Sequence, residues 1–420
     1  MWQLRKYDPK KLKTTAGDAI IIQDPGIANS DSGPDFSNAK LIVGDTSWYG
    51  MVEMHWFSSN WYLHNHQDDE AYNNVILHVV FEEDRIVYNG HGERLPCLEL
   101  KDRIPPKLLS NFTKLQDSQW IPCEKLISTV PDITKTMCME RLTIERLQSK
   151  TERITFKLNA TTWNWEEVCY QLLTQYIGSS VNTIPFEKLA SNTPLSILLK
   201  HQQDLQTIEA LLFGQAGFLE DQAVDEYTIN LKSEYQYLQK KYKLQSMKRF
   251  EWKFLRLRPQ NFPTVRIAQL ASLIHQNGAL FRKIVECVEI DDLRDLLTNS
   301  PSSYWQDHYL LDIPSKPVQK TLGKQEINIL ITNAIVPLVF QYGSYKKEAY
   351  FKDLALRWLE CMPAEKNNII TKWSTIGMHA MNSGQSQALL QLHKQHCTPK
   401  KCLRCTIGHS IISETRLHIA

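Results

Sequence analysis

The hydrophobic period of this chain changes part-way along, and that change limits its fold more than any other feature. From residue 17 to about 100, apolar residues come in short or alternating runs: Ala19 to Ile22, Ala39 to Val43, Trp48 to Phe57, Asn74 to Phe81 and Arg85 to Tyr88. Turn-forming strings such as Asp24-Pro25-Gly26 and Val43-Gly44-Asp45 separate them. Alternation sends successive side chains to opposite faces, so these runs read as strands. Trp61 to Asn73 lacks the pattern and reads as a loop with one or two helical turns. From about residue 135 the apolar residues recur at three- and four-residue steps, as in Leu195 to Phe213 and Ile267 to Ile274, which is the helical period. Pro194 and Pro263 stand near the starts of those runs, where a helix accepts proline.

A chain of 420 residues exceeds the roughly 250–300 at which one core stops growing. The expectation is an α+β protein of two domains. A β-rich domain with mixed sheet and flanking helices spans 1–134, its connector marked by Pro105, Pro106, Pro122 and Pro131. A mostly α-helical domain spans 135–420. The formal net charge of +2 gives no case for a nucleic-acid or membrane partner, so any such case rests on local patches. The first residues hold no apolar signal core. The apolar run Ile327 to Phe340 is interrupted by Asn328, Thr332, Asn333 and Pro337 and reads as a buried helix. Nine dispersed cysteines suit a reducing compartment. Together these predict a soluble, cytoplasmic protein with no membrane partner.

The residues that carry chemistry concentrate between Asp35 and His78. Glu53 and His55 stand two apart in one strand and so face the same side. With Asp35 across from them, two carboxylates suit Mg²⁺ or Mn²⁺, and the histidine suits a water poised to attack phosphorus. His64, His66, Asp68, Asp69, Glu70 and His78 then place three histidines and three acids within 15 residues. That density of nitrogen and oxygen donors suits a transition metal such as Mn²⁺ or Zn²⁺, with His64, His66, Asp69 and His78 as candidate ligands.

Pro34-Asp35 followed by Glu53-Met54-His55 resembles the PD-(D/E)XK nuclease core over residues 17–85, with histidine in place of the motif's lysine and almost no room for an opening helix before Gly17. The resemblance implies a restriction-endonuclease-like fold in the first domain, with Asp35, Glu53 and His55 as the catalytic set of a metal-dependent nuclease or phosphodiesterase. His64-x-His66-x-x-x-Glu70 is similar to the first metal motif of cupin barrels, which implies a small-molecule metalloenzyme instead. Longer strings are similar to a bacterial family of uncharacterised proteins labelled as a domain of unknown function, for which no activity is implied. They are Gly33-Pro34-Asp35-Phe36, Val52 to His55, His66 to Val80, Leu212 to Phe218, Arg258 to Pro263 and the terminal cysteine motif.

In the helical half, residues 240–266 hold nine Lys or Arg against Glu251 alone, interleaved with Tyr242, Phe250, Trp252, Phe254 and Phe262. Cations for phosphates beside rings that stack on bases fit DNA or RNA, with Lys248, Arg249, Lys253, Arg256 and Arg258 as candidate contacts. The competing reading is a helix with a solvated basic face. At the end of the chain, Cys397-x4-Cys402-x2-Cys405 supplies three thiols for zinc or an iron–sulfur cluster, with His409 or Cys361 as the fourth ligand. The alternative to an enzyme is a metal-stabilised scaffold or nucleic-acid-binding protein.

Overall fold

The computed structural model describes residues 2, 5, 7–29, 32–106, 110, 120–178 and 180–413. The chain forms two compact units, one of residues 1–135 with 393–420 and the other of residues 136–392. The cysteine-bearing end, expected with the helices, therefore belongs to the unit that holds the sheet.

Six strands make the sheet of the first unit: β1 (Ile20–Asp24), β2 (Ile27–Ala28), β3 (Phe36–Val43), β4 (Thr46–Phe57), β5 (Val75–Glu82) and β6 (Cys97–Glu99). Their order is β1-β3-β4-β5-β6, with β2 paired to β3 off this path. The β1–β3 and β3–β4 pairs are antiparallel, whereas β4–β5 and β5–β6 are parallel, so the sheet is mixed. A parallel pair needs a crossover. The chain between β4 and β5 supplies it with a one-turn helix, Asn60–Leu63, and two 3₁₀ turns, His66–Asp68 and Glu70–Tyr72.

β5 is buried from Val75 to Val80, as its near-continuous apolar run Val-Ile-Leu-His-Val-Val requires of a central parallel strand. Two sets of apolar side chains pack around this sheet. One gathers Trp2, Leu41, Val52, Leu77, Val79 and Leu98. The other gathers Trp61, Tyr72, Val75, Val87 and Leu95. Gly50 lets β4 and the entry to β5 approach, because a Cβ there would meet Ile76 Cγ2 at 2.6 Å and the Asn74 carbonyl at 2.7 Å.

Arg85 to Tyr88, expected as a strand, is irregular, and the last strand of the sheet is β6 instead. Side chains from the end of β4 claim the backbone that a ladder would use. Ser58 Oγ donates to the Arg85 carbonyl at 2.6 Å and accepts its N–H at 3.0 Å, and Asp84 accepts from the Ser59 N–H and hydroxyl.

The second unit is helical. Asp132–Ala160 leads into it, and Trp165–Ile177, Leu205–Gln215, Glu226–Tyr242 and Pro263–Asn277 are among its members. Asn164, Asp204 and Asp225 cap three of them by accepting backbone N–H groups with their side chains. Pro263 is the first residue of its helix, and Pro194 precedes Leu195–Leu199. The apolar run 327–340 lies within a helical stretch, Lys324–Lys346, that winds as a π-helix over Ile331–Ile335. It is the one helix among the described residues long and apolar enough to cross a membrane, but most of it is buried against its neighbours.

Candidate metal centre

The parallel register of β4 and β5 builds the floor of the site. Glu53 lies opposite His78, and His55 follows on the same face of β4. The crossover supplies the roof. Asn60 Oδ1 accepts the Phe57 N–H and starts the short helix, and Asn65 reverses the chain with φ of 59° so that His64 and His66 turn back over β4. Trp61, fully buried, and Tyr72 wedge this loop in place. His66 stacks on Tyr72 with ring centres 3.8 Å apart, and Trp61 meets His66 and Tyr72 edge-on.

Four donors converge as a result. His55 Nε2 lies 3.1 Å from His64 Nδ1 and 3.4 Å from Glu53 Oε1, and His66 Nε2 lies 3.4 Å from the same oxygen. The ligand nitrogens of His55, His64 and His66 all fall within 4.8 Å of one another. Metal–nitrogen bonds of about 2.1 Å set tetrahedral ligands about 3.4 Å apart, so these spacings are those of a shared ion's coordination shell. His66 Nε2 is buried and has no hydrogen-bond partner. Behind this shell, His55 Nδ1 lies 2.9 Å from His78 Nε2. With the His55 Nδ1–H donating to His78, His55 Nε2 keeps its lone pair for a cation, as a second-layer partner does at metal sites.

Electrostatics matches this geometry. Burial, reinforced by the nearby Asp35 charge, pushes the Glu53 carboxyl up to about 8. Burial, with neighbouring imidazoles adding to it, pulls His55 down to about 4 and His78 down to about 3, and it lowers His66 as well. The 3.4 Å contacts of Glu53 with His55 and His66 are therefore not ion pairs near pH 7: the imidazoles are neutral and the carboxyl largely protonated. A cation entering this cluster displaces the Glu53 proton and finds imidazole lone pairs already free.

Asp35 precedes β3 and is tied to β4 reciprocally. Its N–H donates to Glu53 Oε2 at 3.0 Å, and its Oδ2 accepts the Met54 N–H at 3.0 Å. Burial of the carboxyl raises its pKa. It stands beside Glu53 and fixes that side chain, outside the set of converging donors. Asp69, expected as a ligand, is exposed and caps the second 3₁₀ turn by accepting the Ala71 N–H at 2.9 Å. Glu70, which a cupin motif would use, is exposed at the start of that turn. The carboxylate joining the histidines is Glu53, and the strands form an open sheet instead of a barrel.

The basic segment of the helical unit is not one amphipathic helix. After Glu226–Tyr242 the chain runs irregularly through two 3₁₀ turns, Arg249–Glu251 and Pro259–Asn261. Lys248 pairs with Glu220 and Arg249 with Asp221. Lys253, Arg256 and Arg258 are exposed and make no ion pair among the described residues. Phe250 is 84% exposed beside them, while Trp252 is buried with its indole N–H on the Ala216 carbonyl.

At the C-terminal end Cys397, Cys402 and Cys405 are all buried. His409 is exposed one turn beyond Cys405, and Cys361 is an exposed residue of the other unit. Two further thiols of the first unit are buried, Cys97 in β6 and Cys123, and no local spacing links Cys123 to the three.

No curated protein and no solved structure matches the chain. A family model described as a protein of unknown function (DUF2851) matches residues 1–368, and the chain belongs to that family.

Proposed function

We propose that the protein is a divalent-metal-dependent phosphodiesterase acting on nucleic acid. The observation that carries this reading is that Glu53 Oε1 lies 3.4 Å from both His55 Nε2 and His66 Nε2, while His64 Nδ1 lies 3.1 Å from His55 Nε2. Three imidazoles with one carboxylate favour a transition ion, Mn²⁺ or Zn²⁺, over Mg²⁺. A divalent ion bound there would supply Lewis acidity, activating water for attack on phosphorus. His78 keeps His55 oriented, and Asp35 holds Glu53 through its backbone N–H.

Three features favour a phosphodiester substrate and a PD-(D/E)XK-like arrangement. The sheet is an antiparallel meander, β1-β3-β4, followed by a crossover to a parallel β5. The acid of one strand's start lies against the Glu-x-His of its hairpin partner. The helical unit presents Lys253, Arg256 and Arg258 unpaired beside exposed Phe250, a combination suited to backbone phosphates and a stacked base. The nine cysteines form no disulfide among the described residues, in keeping with the reducing, cytoplasmic setting that their dispersed spacing suggests.

The test is cleavage of single- and double-stranded DNA and RNA by the purified protein loaded with Mn²⁺, Zn²⁺ or Mg²⁺, beside Glu53→Gln. Cleavage that follows Mn²⁺ or Zn²⁺ and falls at least 100-fold in the variant is the expected result. A protein that binds the ion at these residues yet cuts none of the four substrates overturns the nuclease reading and leaves a metal-stabilised scaffold.

A further inference from the structure

A second cluster of donors lies outside the histidine site. Cys123, Cys397, Cys402 and Cys405 are each 7–9% exposed and all belong to the first unit, although Cys123 stands far from the other three in sequence. Two contacts bring the two segments together. The Trp120 ring stacks on His393 with centres 5.6 Å apart, so the chain just before Cys123 lies on the chain just before Cys397. The helix Thr406–Ser413, which follows Cys405 directly, packs on the 3₁₀ turn Ile127–Thr129 that follows Cys123. The Cys123 carbonyl accepts the N–H groups of Leu126 and Ile127, both at 2.9 Å, and so closes the turn that presents its thiol. On the other side, Cys405 N–H donates to the Cys402 carbonyl at 3.2 Å, and Lys400 N–H to the Cys397 carbonyl at 3.0 Å. Gly408 is part of that geometry, because a Cβ there would sit 2.3 Å from the Cys402 carbonyl oxygen.

From this geometry we propose that Cys123, Cys397, Cys402 and Cys405 form a four-thiolate site for an iron–sulfur cluster. The thiols sense one another. Burial first, and then the charges of Cys405 and Cys402, push Cys123 up to about 12; burial and then Cys123 raise Cys397. Metal binding would displace the protons that burial favours on Cys123 and Cys397. Zinc is the competing occupant. Bonds of about 2.3 Å would set its four sulfurs about 3.8 Å apart. Among the described residues, the donors grouped within 4.8 Å of one another are those of His55, His64 and His66, and the four thiols are not so grouped. A cluster binds each thiolate to a separate iron and takes the wider spacing. Lys400, Lys401 and Arg404 beside the thiols offset the negative charge of a four-thiolate centre.

The experiment is anaerobic purification and reconstitution of the full chain with iron and sulfide, read by iron and acid-labile sulfide content and by visible absorbance. Cys123→Ser and Cys402→Ser are compared with Cys361→Ser as the control. Iron and sulfide present in the wild type and in Cys361→Ser, but reduced at least five-fold in the other two, is the expected result. Circular dichroism checks that the two variants keep the wild-type helix content, and wild-type protein stripped of iron gives the spectrum to which a folded, cluster-free variant returns. Stoichiometric zinc without sulfide overturns the assignment, as does a cluster retained in folded Cys123→Ser or no metal in any sample.

Discussion

Glu53 divides its two carboxylate oxygens between fold and site. Oε2 accepts the Asp35 N–H and so locks the start of β3 to β4, while Oε1 faces His55 and His66. The division sets a pH dependence whose sign can be worked out. Glu53 titrates near 8 in the folded protein and lower when unfolded, so between those values the native state holds the extra proton. Its contribution to stability is present at low pH and is lost as pH rises through 8. His55 and His78 titrate near 4 and 3, below their unfolded values, so their contribution is present above about 6.5 and is lost as pH falls toward those values. A divalent ion opposes only the first loss, because it stabilises the ionised carboxylate. Added Mn²⁺ should therefore raise the unfolding temperature more at pH 8 than at pH 6. Calorimetric titration of the ion near pH 7, in buffers of different ionisation enthalpy, should show release of nearly one proton. An ion effect that is equal at both pH values would place the cation away from Glu53.

At the scale of elements, β5 is the strand on which the site depends, and it was also the easiest to read. A run of apolar residues with His78 inside it has to be buried on both faces, and a histidine there has to be satisfied or functional. The strand's entry is a tighter constraint than its sequence suggests. Gly50→Ala would drive a methyl group to within 2.6 Å of Ile76, and the backbone oxygen of Asn74 cannot rotate away. The expected cost is about 1–3 kcal/mol. Urea denaturation measures it, and a change below about 0.5 kcal/mol would mean that the β4–β5 junction relaxes. The stretches that sequence misread fail for one shared reason. Arg85 to Tyr88 alternates like a strand, but Ser58 Oγ holds the Arg85 N–H and carbonyl and the Tyr62 hydroxyl accepts the Tyr88 N–H. Asp69 has a ligand's spacing, but its carboxylate caps a 3₁₀ turn. Periodicity records which face a side chain takes and carries nothing about side-chain–backbone bonds. His64 and His66, by contrast, were legible as donors, although their turn toward β4 depends on the left-handed Asn65.

At the scale of the molecule, the change of hydrophobic period correctly separated a mixed sheet from a helical body. It could not show that residues 393–420 belong with the sheet, because that association rests on contacts such as Trp120 with His393 between distant parts of the chain. The basic segment makes its prediction at this scale too. Of the five candidate contacts, Lys253, Arg256 and Arg258 are the ones without an ion pair once Glu220 and Asp221 have taken Lys248 and Arg249. Replacing the three with alanine should weaken nucleic-acid binding and reduce the slope of log K against log salt by about 2–3. A slope unchanged within about 0.5 would put the phosphate contacts elsewhere.

The first unit is discontinuous, and this orders events during synthesis. Chains leave the ribosome N-terminus first and domains fold as units. The sheet emerges early, but Cys397 to Cys405 emerge after all of residues 136–392. The helical unit can therefore close while the unit begun before it still waits for its final segment. The early-made strands lack part of their unit until that segment emerges, so a stop before residue 393 is expected to damage the part of the protein made first.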